Sequence, residues 1–205
     1  LKLSIEAISE LNSRYIDKPS RFYLFTRPRK WNPSQNCWMG WERKRGKLEA
    51  FNAFLCGEAN PGIDLIIGDE EIIKKVRYII TLDADTELLR DGAAQLIGIM
   101  AHPLNKPCID PVKNRITEGY AIVQSEIRTR ISSQSASLFA KFFSGQAGID
   151  PYASVVSDLY QDLFSEGIYT GKGIYDLLVF HRLPGGVIPE NSVLGHDLLE
   201  GSLAR

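Results

Sequence analysis

The stretch VRYIITLDADTELL, residues 76–89, joins an apolar, β-branched run to two aspartates one residue apart. The near-continuous hydrophobicity between Val76 and Leu82 is typical of a strand that is covered on both faces. Asp83 and Asp85 then stand at the carboxyl end of that strand, which is where ligands bind in open α/β sheets. Two carboxylates in this position predict a site for a divalent cation and a phosphorylated substrate.

The overall composition is that of a soluble globular chain with one sizeable core. It has 205 residues, of which 44% are hydrophobic and 24% charged, and its net charge is −1. A charge so close to zero removes the general electrostatic argument for binding nucleic acid or an anionic membrane. No run approaches the roughly 18 apolar residues that a membrane-spanning helix needs. The first residue is Leu1 rather than a methionine, which predicts a piece of a longer protein.

Helical and strand patterns alternate along the chain and predict an α/β layer fold. The predicted helices are residues 1–16, 47–55, 88–100, 132–143 and 154–164, and the predicted strands are residues 21–26, 76–82 and 119–124. Gly57 is predicted to end the second helix. Residues 103–118 are predicted to be a loop. Residues 27–45 interleave Trp and Arg, and we interpret them as a structural loop or a sugar-facing surface rather than a base-stacking one.

The sequence D-A-D-T at residues 83–86 fits two kinds of enzyme. In a phosphohydrolase of the haloacid dehalogenase type, Asp83 would be the nucleophile and Asp85 the acid/base. In a nucleotide-sugar glycosyltransferase, the same carboxylates would hold a divalent metal against the donor diphosphate. A solvated strand end with no chemical role is the third interpretation.

The order of motifs along the chain favours the glycosyltransferase. Residues 46–52, GKLEAFN, resemble the G-K-x-x-A-L-N segment that precedes the aspartate motif in family 2 glycosyltransferases. Further on, TGKGIYD at residues 170–176 and Gly195-His196-Asp197 follow in the order of that class. A phosphohydrolase would need a paired acidic motif late in the chain, where His196-Asp197 supplies only one carboxylate.

Longer strings extend the resemblance over residues 20–205. They are WMGWERKRGKLEAFN, YIITLDADTELLRDGAAQLIGIMAHPLN, FFSGQAGIDPYASVVSDLYQDLFSEGIYTGKGIYD and PENSVLGHDLLEG. These strings resemble the family 84 glycosyltransferase domain of cyclic β-1,2-glucan synthases, which are large bacterial membrane proteins. The resemblance implies an α/β fold of the GT-A type, with a mixed, mostly parallel central sheet flanked by helices. We therefore expect residues 1–205 to be a single glycosyltransferase domain, truncated at both ends.

The resemblance also implies the ligands and the role of each site residue. The donor would be UDP-glucose, the acceptor a β-1,2-glucan, and the cofactor divalent Mg or Mn. Asp83 and Asp85 would hold the metal, and Asp197 would be the catalytic base. The residues expected to bind substrate are Lys47, Asn52, Asp83, Tyr169, Thr170, Gly171 and Lys172, with Glu166 and His196 as secondary candidates. The glycines near Lys172 would permit positive φ angles and close backbone approach to sugar hydroxyls.

Two departures from the family pattern affect this assignment. Many family 2 relatives have Glu-Asp where this chain has His196-Asp197, so the assignment of the catalytic base rests on Asp197 alone. An N-terminal strand pair for the uracil and a Q-x-x-R-W motif after Asp197 are also missing from the sequence. A catalytically incomplete donor-binding domain therefore remains an alternative.

The parent protein implied by the resemblance sets the expected location. The domain would lie on the cytoplasmic face of the bacterial inner membrane, joined to further domains and transmembrane segments of the same protein. The fragment itself would be soluble, and nucleic acid is not among its expected partners.

Overall fold

The computed structural model describes residues 1–15, 21–112, 115–125, 137–138, 163–164, 169–183, 189–192, 201 and 204. The chain divides into two compact units. Unit 1 comprises Leu1–Ile79 and Leu177–His196, and unit 2 comprises Ile80–Asp176 and Asp197–Arg205. Unit 1 is therefore built from two separate stretches of sequence.

Unit 1 holds most of the described helices. Its elements are α1 (Lys2–Ser13), β1 (Leu24–Thr26), β2 (Lys30–Asn32), β3 (Cys37–Met39), α2 (Arg43–Leu55), β4 (Asp64–Ile67), α3 (Glu70–Ile73), the first half of β5 (Tyr78–Thr81) and α5 (Leu177–Arg182). Strand β1 pairs antiparallel with β4. The ring of Phe25 packs edge-on against Phe51 and Phe54 of α2, at centroid distances of 5.0 and 5.3 Å. This apolar contact fixes α2 against the β1–β4 pair.

Helix α2 confirms the helix predicted at residues 47–55. It ends at Leu55 with Cys56 as its C-cap, and Gly57 follows with a φ of 78°, the left-handed conformation that glycine adopts without strain. The helix begins at Arg43, four residues before the predicted start. The extra turn includes Arg45 and Gly46, which are buried although the sequence there looks like a solvated basic run.

The loop predicted at residues 27–45 contains a hairpin. Strands β2 and β3 pair antiparallel, with Trp31 opposite Trp38 and their ring centroids 6.0 Å apart. Asn36 turns the chain with a φ of 51°. Strands of three residues are too short for a period-2 pattern to be recognised, so the sequence offered only the turn signal.

Unit 2 is organised around strand β9. Its described elements are the end of β5, α4 (Gly92–Ala101), a 3₁₀ turn (Pro103–Asn105), β6 (Cys108–Asp110), β7 (Arg115–Glu118), β8 (Ile122–Val123) and β9 (Gly173–Asp176). The strand order is β5–β9–β8, and β8 pairs antiparallel with β9. All four residues of β9 are buried. A Cβ on Gly173 would lie 2.5 Å from the carbonyl oxygen of Val123, so glycine is what lets β9 and β8 approach.

Several predicted elements need correction. The strand at residues 76–82 was expected to be covered on both faces, but in β5 only Ile79 and Thr81 are buried, while Val76 and Leu82 are exposed. Helix α4 begins at Gly92 rather than residue 88, because the preceding Asp91 has a φ of 62°. The loop predicted at residues 103–118 contains the 3₁₀ turn and the antiparallel β6–β7 hairpin.

The remaining predicted elements are confirmed in outline or fall outside the described residues. The helix expected at residues 1–16 is α1, the strand expected at residues 21–26 is β1, and that expected at residues 119–124 is reduced to β8. The helices expected at residues 132–143 and 154–164 fall almost wholly outside the described residues.

The mixed α/β composition is confirmed. Where the register of a strand pair is defined, in β1–β4, β2–β3, β6–β7 and β8–β9, the pairing is antiparallel. The mostly parallel GT-A sheet and the single domain over residues 1–205 stay predictions. Within the described ranges, no helix is both long enough and apolar enough to cross a lipid bilayer.

Candidate functional site

The end of β5 leads directly into the two predicted aspartates. Thr81, the last residue of the strand, is buried, and its hydroxyl lies 3.0 Å from the hydroxyl of Tyr169. The chain then turns, because the N–H of Thr86 donates to the carbonyl oxygen of Asp83 over 3.0 Å. Asp83 is half-buried and Asp85 is exposed. The pair thus stands where the partly buried strand β5 gives way to solvent.

Asp83 is paired with a lysine that is distant in sequence. The Nζ of Lys172 lies 2.9 Å from the Oδ2 of Asp83, and their side chains are 25% and 35% exposed, respectively. Ion pairs with this much access to water contribute about 0–1 kcal/mol to stability. Two residues that the sequence assigned to the same ligand are therefore in contact, through an interaction weak enough to exchange.

The segment before Lys172 is held by its own hydrogen bonds. Tyr169 is only 2% exposed. The N–H and the hydroxyl of Thr170 both donate to Oε1 of Gln124, over 2.8 and 2.9 Å. Gly171 has a φ of 75°, the positive value expected for this turn. Gln124 is a positioning residue that the sequence analysis missed, and its place just after β8 was the one available signal.

The donor chemistry of Asp83 and Asp85 fits the predicted cation. Mg²⁺ is commonly held by one or two carboxylates, with substrate phosphates and waters completing its shell. Among the residues that the structure describes, no group of three or more His, Cys, Asp or Glu side chains is placed to hold a metal. A cation here would therefore depend on phosphate oxygens as well, and on release of Asp83 by Lys172.

The two predicted substrate residues of unit 1 have different surroundings. Lys47 is exposed on α2. Asn52, five residues later on the same helix, is 2% exposed and lines a pocket of about 600 Å³. The structure therefore places Asn52, but not Lys47, in the wall of a cavity.

A buried polar network forms one wall of this pocket. Arg45 lies between Glu42 and Glu49, with nitrogen to oxygen distances of 2.8 Å to each carboxylate. Its guanidinium also lies 5.7 Å from the ring centroid of Trp41. The indole N–H of Trp41 donates to Oε1 of Glu190 over 2.8 Å. Sequence analysis missed this network, because nothing in the run RKRGK distinguishes the buried Arg45 from the exposed Arg43 and Lys47.

The network changes the ionisation of its members. Burial by itself would raise the pKa of Glu42, but hydrogen bonds from Arg45 and from the backbone N–H of Asn191, with the charges of Arg45 and Arg43, outweigh it and lower that pKa. Burial would lower the pKa of Arg45, and the carboxylates of Glu42 and Glu49 raise it instead. Both groups are therefore held in their charged forms.

Asp197 and the secondary candidates Glu166 and His196 lie outside the described residues. The described site residues are thus Asp83, Asp85 and the Tyr169–Lys172 segment in unit 2, with Asn52 and Lys47 in unit 1.

Comparison with known proteins identifies the class. No protein-family model matches the chain. The whole chain is, however, homologous to part of a synthase of cyclic β-glucans. That relative is the cyclic beta-(1,2)-glucan synthase NdvB of Rhizobium meliloti (strain 1021), with 41% identity over 207 residues. The alignment covers 100% of this chain and 7% of the relative, so the chain corresponds to a small segment of a much longer protein.

Proposed function

We propose that this chain is the donor-binding part of an inverting glucosyltransferase that builds β-1,2-glucan from UDP-glucose. The observation that carries the proposal is the 2.9 Å contact between Asp83 and Lys172. It joins two sequence regions that were both expected to bind substrate, Asp83 with the metal and diphosphate and the Tyr169–Lys172 segment with the sugar donor. Homology over the whole chain to a cyclic beta-(1,2)-glucan synthase supports the product class. The same homology gives no support to the phosphohydrolase alternative.

The stereochemistry defines what the residues must do. An α-linked UDP-glucose that yields a β-1,2 linkage requires in-line attack by the 2-hydroxyl of the acceptor. The new bond joins that oxygen to the anomeric carbon, and the bond to the β-phosphate oxygen breaks, so UDP leaves with the electron pair. Asp197 is proposed to take the hydroxyl proton.

The negative charge of the departing diphosphate is proposed to be stabilised by Asp83 and Asp85, through a metal ion, and by Lys172. Asp83 and Asp85 would hold Mg or Mn, which supplies charge stabilisation to the leaving UDP when bound. Lys172, once released from Asp83, would donate a charge-assisted hydrogen bond to a phosphate oxygen. The ordered Tyr169–Gly171 backbone would fix the direction from which Lys172 approaches. Lys47 and Asn52 remain proposed donor contacts.

Isothermal titration of UDP, with and without Mn²⁺, tests the donor site in the chain as it stands. We expect Mn²⁺ to strengthen UDP binding in the wild type. In the variant Asp85→Asn, the increase in UDP affinity caused by Mn²⁺ should be about tenfold smaller, because the substitution removes a formal charge from the cation site. Asp91→Asn is the matched control, since Asp91 is an exposed aspartate of the same unit. An unchanged Mn²⁺ dependence in Asp85→Asn would contradict the metal assignment.

The proposed base requires the full-length protein. There, Asp197→Asn should leave UDP binding near normal and reduce glucan synthesis about 100-fold to 10,000-fold. Synthesis within a few-fold of the wild type would move the base elsewhere, with Glu166 the next residue to replace.

A donor-binding domain without turnover is the second candidate. The observation in its favour is that Asp83, a proposed metal ligand, is paired with Lys172 at 2.9 Å. An acceptor hydroxyl must lie within about 3–3.5 Å of the reacting carbon, and a misplacement of about 1 Å can cost on the order of 100-fold. We expect the isolated chain to bind UDP and to extend β-1,2-oligoglucosides poorly or not at all. Efficient extension of labelled acceptors would exclude this candidate.

The location of the parent protein is part of the same proposal. We propose that its other domains and transmembrane segments hold this chain at the cytoplasmic face of the inner membrane.

A further inference from the structure

The β2–β3 hairpin exposes a pair of tryptophan side chains. Trp31 and Trp38 stand opposite each other on the two strands, so their side chains lie on the same face of the hairpin. The two residues are 47% and 65% exposed. Exposed apolar side chains that occur singly need no explanation, whereas adjacent ones form a patch that marks an interaction surface. The hairpin therefore presents an aromatic surface to a partner.

The opposite face of the hairpin is attached to the rest of unit 1. Asn32 follows Trp31 along β2, and its Nδ2 donates to Oδ1 of Asn191 over 2.7 Å and to Sδ of Met39 over 3.5 Å. Both Asn32 and Met39 are half-buried. Successive side chains of a strand point to opposite faces. The attachment of Asn32 therefore directs Trp31 and Trp38 outward.

The segment that carries the hairpin is strongly basic. Within residues 27–45, the cations are Arg27, Arg29, Lys30, Arg43, Lys44 and Arg45, and the one carboxylate is Glu42. Glu42 is 8% exposed and lies 2.8 Å from Arg45, so its charge is already compensated. Charges act over a screening length of only about 8–10 Å at physiological salt. This segment can therefore attract an anionic surface although the whole chain has a net charge of −1.

The geometry of the two indoles favours a lipid surface over nucleic acid. Their ring centroids are 6.0 Å apart and their planes meet at 63°, so the edge of one ring faces the other ring. Successive bases stack on open ring faces, and an edge-to-face pair is a poor platform for them. An indole has an apolar body and a polar N–H, which suits the headgroup level of a bilayer. Neighbouring Arg and Lys side chains add attraction to anionic lipids.

We infer that the β2–β3 hairpin binds the surface of an anionic lipid bilayer. Trp31 and Trp38 would lie at the level of the headgroups, with the exposed Arg29, Lys30 and Arg43 against lipid phosphates. The contact would be shallow, because the turn between the strands, residues 33–36, has the polar sequence PSQN. This inference goes beyond the proposed function, since it assigns to this chain a membrane contact of its own that requires neither UDP nor metal.

Cosedimentation of the chain with lipid vesicles tests the inference. Phosphatidylcholine vesicles with about one third phosphatidylglycerol supply the anionic surface, and vesicles of phosphatidylcholine alone are the comparison. We expect binding to the anionic vesicles, with a blue shift of tryptophan emission, and at least tenfold weaker binding to the neutral ones. Near 1 M salt, where the screening length is about 3 Å, binding to the anionic vesicles should weaken at least tenfold. Absence of binding to anionic vesicles at low salt would overturn the inference.

Replacement of the two indoles tests whether the hairpin is the contact. The double variant Trp31→Ala, Trp38→Ala should bind anionic vesicles about tenfold more weakly, because the apolar part of the contact is lost. Leu89→Ala with Leu104→Ala is the matched control, since both leucines are 84% exposed and belong to unit 2. Equal affinity in the wild type and the tryptophan variant would overturn the inference.

Replacement of charges gives a second test that leaves the aromatic pair intact. Arg29→Gln with Lys30→Gln should weaken vesicle binding about tenfold or more, since each cation near an anionic surface contributes about 1 kcal/mol. Lys75→Gln with Lys106→Gln, at two exposed lysines outside the hairpin, is the control. Equal losses in the two double variants would overturn the inference, because the attraction would then belong to the whole chain.

A single-stranded oligonucleotide distinguishes a lipid surface from a base-stacking one. We expect its binding, measured by fluorescence anisotropy at low salt, to be the same in the wild type and in the variant that lacks Trp31 and Trp38. Oligonucleotide binding that is tenfold weaker in that variant would overturn the inference, because the indoles would then stack on bases. The tryptophan variant should also keep the Mn²⁺ dependence of UDP binding. Failure of vesicle binding with that dependence intact would therefore reject the lipid contact and leave the proposed donor site standing.

Discussion

The two ion-pair regions of this molecule differ mainly in their access to water. In unit 1, Arg45 and Glu42 are 6% and 8% exposed. In unit 2, the pair between Lys172 and Asp83 keeps a quarter to a third of its surface in solvent. Buried charges are costly to separate, while exposed ones exchange partners with little loss. The first region therefore fixes the shape of the pocket wall, and the second remains available to a ligand.

Removal of Arg45 should produce the largest effect. Arg45→Met would leave Glu42 buried without its counter-ion, so we expect the free energy of unfolding to fall by about 3 kcal/mol. Urea unfolding measures this change in the free energy of unfolding. Arg14→Ala is the control, since the Arg14–Glu10 pair is exposed and its loss should cost less than about 1 kcal/mol. Equal losses of unfolding free energy in the two variants would contradict the distinction between buried and exposed ion pairs.

Low pH should lower the free energy of unfolding through protonation of Glu42, which is paired with Arg45 in unit 1. The pKa of Glu42 is lowered from its ordinary value of 4.5 in the folded protein. The stability that ionised Glu42 contributes is therefore fully present above its unfolded pKa and is lost as the pH falls through its folded pKa. Urea unfolding of the wild type and Glu42→Gln should show a difference that is constant near neutrality and shrinks in acid. A difference independent of pH would refute the role of the charge.

Substitution of Lys172 should change ligand binding more than stability. Lys172→Gln removes a positive charge that competes for Asp83, so we expect the affinity for Mn²⁺ alone to rise a few-fold. Electron paramagnetic resonance of free Mn²⁺ measures this without UDP or turnover. In the presence of Mn²⁺, UDP should bind more weakly, because a phosphate contact is lost. Lys106→Gln, at an exposed lysine of the same unit, should change neither affinity.

The smallest expected effect is the coupling energy of the pair itself. A double-mutant cycle of Asp83→Asn and Lys172→Gln should give about 0.2–1 kcal/mol at low salt. Near 1 M salt, where the screening length is about 3 Å, most of this coupling should disappear. The effect of Arg45→Met should persist under the same conditions. A coupling that resists salt would show that Asp83 and Lys172 form a structural pair like that of Arg45.

The sequence predicted elements whose signal is local. Helix α2 and its Gly57 end follow from apolar spacing and from a residue that tolerates positive φ. The left-handed backbone at Gly171 was expected for the same reason. The hairpins β2–β3 and β6–β7 were missed because each strand is three or four residues long.

Site contacts that depend on tertiary structure were only partly predictable. Asp83 and Lys172 were assigned to one ligand by motif resemblance, but their direct pairing could not be read from residues 89 positions apart. The pairs of Arg45 with Glu42 and Glu49 have the local i,i+3 and i,i+4 spacing, but the burial of Arg45 depends on the parts of the chain that cover it. Gln124 had no sequence signal of its own beyond its place after a strand.

The two-part construction of unit 1 has a consequence for how the chain folds during synthesis. Helix α5 contributes buried Leu177 and Phe180 to a unit that otherwise ends at Ile79. The N–H of Leu177 donates to the carbonyl oxygen of Arg77, so two residues 100 positions apart close this part of the backbone. Such distant contacts slow folding, and the apolar surface that awaits α5 stays open while residues 80–176 are being translated. Unit 1 can therefore be completed only after helix α5 has left the ribosome.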